Sequence, residues 1–243
     1  MSGHSKWKNI AHRKEKTDAQ RAKLFTKLSR EIIVAVKSGG PDPVSNMRLS
    51  AVITKARAGN VPMDNILRVI ARAGGGGENT DYEDVQYEGY GPGGVALIVE
   101  AMTDNRNRTA GEVRHAFDKF NGNMGATGCV GWMFDEKGVI IIPSEGLDDE
   151  VMMLEAIEAG ALDFISNGDV YELTTAPEEC AKVSEALEKA GYTLLSAQVE
   201  RVPQTWVALV DELEIRNMRR MLDMLEDNDD VQSVWHNWEN EDE

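Results

Sequence analysis

The sequence predicts an α+β protein of three domains, with an N-terminal three-helix domain followed by two ferredoxin-like α/β domains, the last inserted into the middle one. Apolar residues recur at helical spacing in the first 75 residues. A glycine run at residues 74–77 interrupts this pattern, and strand-like and helical segments alternate beyond it. The predicted domains are residues 1–75, residues 78–134 with 204–240, and residues 135–203.

The first predicted helix, over residues 17–37, has an apolar face and a cationic face. At about 100° per residue, a stripe that includes Leu28 and Ile32 lies nearly opposite the cations. A phosphate backbone is one partner for such a face. The cations of this helix that we predict to contact nucleic acid are Lys23, Lys27 and Arg30.

Two shorter helices complete the predicted N-terminal domain. Asp42 predicts the N-cap of the second helix, which ends at Gly59. Pro62 opens the third helix, which has Arg68 and Arg72 one turn apart on its outer side. Three such helices can cover one small core.

The later segments predict an insertion. Residues 138–202 contain the complete βαββαβ order of a ferredoxin-like unit. The half of another domain that precedes this unit has a helix at 109–120 between strands at 95–102 and 129–134. The half that follows it has a helix at 214–225 between strands at 205–210 and 231–238. The predicted inserted domain holds 16 acidic and 4 basic residues, so we do not expect it to touch phosphates.

The composition, with 42 % apolar and 28 % charged residues, is that of an ordinary globular chain. No apolar run approaches the roughly 18 residues of a membrane span and no secretory signal is recognisable, so we expect a cytoplasmic protein without a membrane partner. Cys129 and Cys180 are far apart and are expected to be buried thiols. The four histidines lack metal-ligand spacing, and we expect neither metal nor cofactor.

Charge is distributed unevenly along this acidic chain, whose formal net charge is −16. The first 75 residues hold 15 Lys or Arg and five acidic residues, whereas the remainder holds 11 basic and 37 acidic residues. The basic segment is either a polyanion-binding surface or an internal partner for the acidic remainder. The one-sided placement of the cations favours the polyanion-binding surface.

The segment ahead of the first helix combines cations with an aromatic residue. Cations give a salt-dependent attraction to phosphates, and Trp7 offers a ring for stacking on an unpaired base. Packing of Trp7 on the helical domain is the open alternative. The residues of this segment that we predict to contact nucleic acid are Lys6, Trp7, Lys8, His12, Arg13, Lys14 and Lys16.

Residues 89–94, Gly-Tyr-Gly-Pro-Gly-Gly, match the spacing of a dinucleotide-binding loop. That mechanism needs a helix after the loop to meet the pyrophosphate, but a strand-like run follows here. We therefore predict an exposed hairpin-like loop. Tyr90 at its tip is expected either to contact nucleic acid or to pack against the protein.

Residues 104–109, Asp-Asn-Arg-Asn-Arg-Thr, lie where a predicted strand gives way to a helix. Arg106, Asn107 and Arg108 supply fork-shaped and amide donors that suit phosphates or RNA edges. Pairing of the arginines with neighbours such as Asp104 is the open alternative. No set of catalytic residues is recognisable, so we expect no enzyme, and a nucleic-acid-processing enzyme remains a remote alternative.

Several motifs resemble the YebC/PmpR family. They lie at residues 3–7 (Gly-His-Ser-Lys-Trp), 12–14 (His-Arg-Lys), 25–27 (Phe-Thr-Lys), 87–94, 104–109, 112–117 and 221–227. The resemblance implies three domains and a non-enzymatic regulator of gene expression. Members are described as probable DNA-binding transcriptional regulators. Bacterial members and the mitochondrial translational activator of cytochrome oxidase are also described as ribosome-associated factors that ease synthesis of proline-rich stretches.

Nucleic acid is the expected partner under both descriptions, as DNA in the first and as ribosomal or transfer RNA on the ribosome in the second. The residues themselves favour structured RNA, because the basic arm carries Trp7 and the basic sites are separated. No clear recognition helix with base-reading side chains is apparent in the sequence.

Overall fold

The computed structural model describes residues 18–76 and 80–241. The helices are α1 (Asp18–Gly39), α2 (Met47–Ala58), α3 (Met63–Gly74), α4 (Arg106–Lys119), α5 (Asp149–Ala159), α6 (Cys180–Lys189) and α7 (Glu212–Glu226). The strands are β1 (Glu83–Tyr90), β2 (Ala96–Thr103), β3 (Asn123–Met124), β4 (Phe134–Pro143), β5 (Asp163–Ser166), β6 (Val170–Thr175), β7 (Ser196–Pro203) and β8 (Val231–His236). Within these residues, no helix is long and apolar enough to cross a membrane.

The described residues form two compact units. Residues 132–206 form one unit, and the residues before and after them form the other. The predicted α+β class, with N-terminal helices followed by two antiparallel sheets, is confirmed. The division into three domains stays a prediction. The unit of residues 132–206 interrupts the sequence of the other unit, as the predicted insertion requires.

The three N-terminal helices enclose an apolar core, to which α1 contributes the predicted stripe. Fully buried members of this core are Leu28, Ile32, Leu49 and Ile66. The predicted N-cap of α2 was wrong, because Asn46 and not Asp42 accepts the hydrogen bond from the Leu49 N–H, at 3.0 Å. Asp42 instead accepts from the Val44 N–H and closes a turn four residues earlier.

The first sheet has the strand order β3-β1-β2-β8, with all neighbours antiparallel. Leu97 and Val99 of β2 share one core with α4 and α7, because alternate side chains of a strand face the same side. Phe117 of α4 and Met218 of α7 are fully buried in this core. The sheet thereby positions both helices.

Two strand predictions near this sheet were wrong, and one strand was missed. Residues 129–134 form a loop and a 3₁₀ turn at Gly131–Met133 before β4, and residues 205–210 contribute only one bridge, between Val207 and Trp238. Strand β1 was not predicted, because its sequence, Glu-Asp-Val-Gln-Tyr-Glu-Gly-Tyr, lacks a clear apolar alternation. It nevertheless pairs with β2 along its whole length.

Residues 132–206 contain the second sheet, whose strand order is β5-β6-β4-β7 with all neighbours antiparallel. With α5 and α6 this is the βαββαβ order of a ferredoxin-like unit. Ile140, Ile142 and Leu173 face the two helices in a single core. The unit therefore has a hydrophobic core of its own.

Candidate nucleic-acid interface

The cationic face of α1 lies against the end of α7. Lys23 Nζ is 2.7 Å from Asp227 Oδ1, and Lys27 Nζ donates to the Glu226 carbonyl at 2.7 Å. Lys23 thus forms an ion pair, and the Lys27 contact is favourable because the last carbonyls of a helix carry partial negative charge. The contacts match the open alternative of an internal partner for the basic segment.

Arg30 belongs to the same contact and reaches a buried carboxylate. Its guanidinium donates to the Asp229 carbonyl and to Asp230 Oδ1, both at 2.6 Å. The predicted nucleic-acid role of this face stays a prediction. Any phosphate that bound Lys23, Lys27 or Arg30 would have to compete with these internal acceptors.

Asp230 is the centre of this polar cluster, and only 5 % of its side chain is exposed. Its second oxygen, Oδ2, accepts at 2.7 Å from both Arg108 Nη2 and the Thr109 hydroxyl. Burial opposes the charge, but hydrogen bonds from Arg108, Thr109 and Arg30 outweigh burial and hold the pKa of Asp230 below its usual value. This one carboxylate therefore joins α1 to the start of α4.

The three residues predicted to bind RNA edges lie at the N-terminus of α4 in different environments. Arg108 pairs with Asp104 at 2.9 Å as well as with Asp230, so the pairing alternative holds for this arginine. Arg106 has only a 3.4 Å contact with Glu83, and two-thirds of its side chain is exposed. All three residues are exposed, and Arg108 is the one whose side chain binds the buried carboxylate of Asp230.

A shallow groove of about 580 Å³ lies between α4 and α7 beside this trio. Asn107 and Arg108 contribute to its wall, together with His115 and Glu112. Asn228 donates to Glu112 across the groove at 2.7 Å. The lining carries both signs of charge, so the groove alone indicates no particular ligand.

The glycine-rich loop at residues 89–94 connects β1 to β2. Strand β1 precedes the loop, although the sequence did not predict this strand. Strand β2 follows the loop, so the helix that a dinucleotide site requires is missing here. Gly93 has φ +65°, and a Cβ there would overlap the Leu209 side chain. The glycine spacing is therefore explained by close packing. Tyr90 at the loop is exposed, and its hydroxyl lies 3.5 Å from the Cys129 carbonyl.

Glu88 binds the backbone of the loop at residues 128–131, a role that the sequence did not predict. Its buried carboxylate accepts three backbone hydrogen bonds, from Gly128, Val130 and Gly131, at 2.7–2.9 Å. Burial opposes the charge of Glu88, but these bonds and one from Gln86 lower its pKa overall. The only local signal was an acidic residue next to a glycine motif, which is too common to be predictive.

Two further arginines of the helical region are exposed and form no ion pair with any other described residue. They are Arg57 at the end of α2 and Arg68 in the middle of α3. Other cations of these helices pair locally, as Lys55 does with Glu31 at 2.7 Å. The remaining predicted contacts lie outside the described residues, namely Lys6, Trp7, Lys8, His12, Arg13, Lys14 and Lys16.

Comparison with known families decides the relationship. The model of the TACO1/YebC protein N-terminal domain matches residues 5–76, and that of the TACO1/YebC second and third domain matches residues 82–238. The chain belongs to the TACO1/YebC family. The resemblance found in the sequence motifs is thereby confirmed.

Individual relatives of the TACO1/YebC family extend over the full chain. A protein of Caldicellulosiruptor saccharolyticus is 60 % identical over 99 % of this chain and 100 % of its own, and one of Acetivibrio thermocellus is 57 % identical over 98 % and 99 %. Both are named "Probable transcriptional regulatory protein". The crystal structure of a conserved hypothetical protein from Aquifex aeolicus superimposes with a TM-score of 0.81, at 47 % identity, covering 91 % of each chain.

Proposed function

We propose that this protein is a non-enzymatic, nucleic-acid-binding regulator of gene expression that contacts phosphates through its N-terminal region. The observation that carries the proposal is the excess of cations in residues 1–75 of a chain with net charge −16. Arg57 and Arg68 support it, because both are exposed and have no described ion-pair partner. The names of the relatives point to the same broad role.

The relatives are named as probable transcriptional regulators, and for such a role the bound nucleic acid would be DNA. A second candidate is a ribosome-associated factor that binds ribosomal or transfer RNA. One structural observation favours it: Arg57 and Arg68 lie on the helical region, whereas Arg106 and Asn107 lie at the start of α4. Separated contacts suit the irregular surface of a folded RNA, whereas duplex readout usually requires one helix with several base-reading side chains.

The proposal is tested with the double variant Arg57→Glu, Arg68→Glu. We expect weaker binding to a structured RNA. We also expect the slope of log affinity against log salt concentration to become shallower by about one for each phosphate that the variant no longer neutralises. Fluorescence anisotropy over a salt series measures both quantities. Lys182→Glu with Lys189→Glu is the matched control, because it reverses two exposed lysines of the unit formed by residues 132–206, which we call the acidic unit.

Unchanged affinity and salt slope in the arginine variant would remove these helices from the interface. The same titrations with a DNA duplex distinguish the two candidates. Tighter, sequence-dependent binding to the duplex would favour the transcriptional role over the ribosomal one.

A further inference from the structure

Helix α5 of the acidic unit is apolar on both of its sides. Met152 and Ala156 are buried against the sheet. On the opposite side Val151, Leu154 and Ile157 are 51 %, 60 % and 57 % exposed. This pattern is unusual, because the helices of a protein surface normally carry polar residues on their outer side.

Exposed leucines also flank the helix in the sequence. Leu147 precedes α5 and is 37 % exposed, and Leu162 follows it and is 75 % exposed. Single exposed apolar residues are common, but Val151, Leu154 and Ile157 follow one another at a spacing of three and are neighbours on the helix surface. A contiguous apolar patch of this kind marks an interaction site. We name the set Leu147, Val151, Leu154, Ile157 and Leu162 the α5 patch.

The charges around the α5 patch identify its partner. Between Lys137 and Lys182 the chain has no Lys, Arg or His, but it has 11 acidic residues. Glu150 and Glu158 lie on the exposed side of α5 itself. Two copies of this chain joined through the same patch would bring like charges together, and an anionic membrane surface would be repelled.

We infer that the α5 patch binds a cationic amphipathic helix of another protein, with apolar residues on the patch and Lys or Arg facing the acidic rim. Apolar contacts supply most of the affinity in such an interface, and complementary charge supplies specificity and a fast association rate. This inference is independent of the proposed nucleic-acid contacts, because it uses none of their residues.

The test uses a synthetic helical peptide of about 18 residues, with leucine on one face and lysine elsewhere. A scrambled peptide of the same composition lacks the apolar face and serves as the probe control. Isothermal titration calorimetry with the full-length protein gives the dissociation constants. We expect the amphipathic peptide to bind at least about tenfold more tightly than the scrambled one.

Variants of the protein locate the binding face. We expect Leu154→Gln with Ile157→Gln to weaken binding at least about tenfold. Glu150→Lys with Glu158→Lys should weaken binding and its dependence on salt. Leu213→Gln, at a half-exposed leucine of α7, is the matched control and should bind as the parent protein does.

Three outcomes overturn the inference. They are equal binding of both peptides, unchanged binding by the Leu154→Gln, Ile157→Gln variant, and a dimer in sedimentation that this variant dissociates. The last outcome would assign the patch to a second copy. Circular dichroism checks that each variant keeps its helix content.

Discussion

At the scale of single residues, Asp230 is the shared acceptor of the polar cluster between α1 and α4. One buried carboxylate binds Arg30 through Oδ1 and Arg108 and Thr109 through Oδ2. Removing one member of a buried ion pair leaves its partners with uncompensated charge and unmade hydrogen bonds. Asp230 is therefore the residue at which a change of one atom should cost the most stability in this cluster.

We predict that Asp230→Asn lowers the free energy of unfolding by about 3 kcal/mol at neutral pH. Urea denaturation followed by circular dichroism measures the change. Asp229→Asn, at the exposed neighbour, is the control and should change stability by less than about 0.5 kcal/mol. Equal effects at the two positions would contradict the role given to Asp230.

The same variant has a defined pH dependence. Because the folded pKa of Asp230 lies below the ordinary value of 3.8 for an aspartate, its charge stabilises the fold above that value. This contribution disappears as the pH falls through the folded pKa. The stability difference between the parent protein and Asp230→Asn should therefore be largest near neutral pH and shrink below about pH 4. A difference that stays constant from about pH 7 to pH 3 would contradict the assignment.

At the scale of elements, Asn46 ties the start of α2 to the end of α1. Its amide donates to the Ala35 and Gly40 carbonyls, both at 2.8 Å, while its oxygen caps α2 through the Leu49 N–H. We predict that Asn46→Ala lowers the free energy of unfolding by about 2 kcal/mol, because it removes all three hydrogen bonds from a buried site. Ser50→Ala, on the exposed side of α2, is the control and should leave the stability unchanged. Chemical denaturation of both variants checks the prediction.

The elements that could be predicted from the sequence are those with a local signal. The α1 stripe with Leu28 and Ile32 was found because helical spacing brings these residues together whatever the rest of the chain does. Asn46 was not chosen as the cap, because Asp42 carries an equally suitable side chain a few residues earlier. Strand β1 was missed because its register depends on pairing with β2 and not on its own pattern.

The candidate site shows the same limit more sharply. The sign of the α1 face was predicted correctly, since charge is visible in the sequence. The contact of this face with Asp230 was not predicted, because Arg30 and Asp230 are 200 positions apart and no local pattern links them. The cations predicted in the α1 face and at Arg108 therefore bind internal carboxylates or carbonyls, whereas Arg57 and Arg68, in the outer positions of α2 and α3, form no ion pair with any described residue.

At the scale of the whole molecule, the acidic unit should be separable. We predict that residues 132–206 expressed alone fold cooperatively, because Ile140, Leu173 and the residues packed on them form a core within the unit. Stability of only a few kcal/mol is expected at this size. Far-UV circular dichroism with thermal melting checks the prediction. A random-coil spectrum under native conditions would show that the unit depends on the rest of the chain.

The two ends of this unit lie next to each other. Phe134 pairs with Pro203 at the outer end of the β4–β7 ladder, and the Gln204 N–H donates to the Met133 carbonyl at 2.8 Å. Entry and exit are thus only about one strand spacing apart, roughly 5 Å. Evolution can lengthen, exchange or delete such a module with little strain on its host. A short glycine bridge from Gly131 to Val207 is accordingly a practical starting point for engineering a minimal version of this protein.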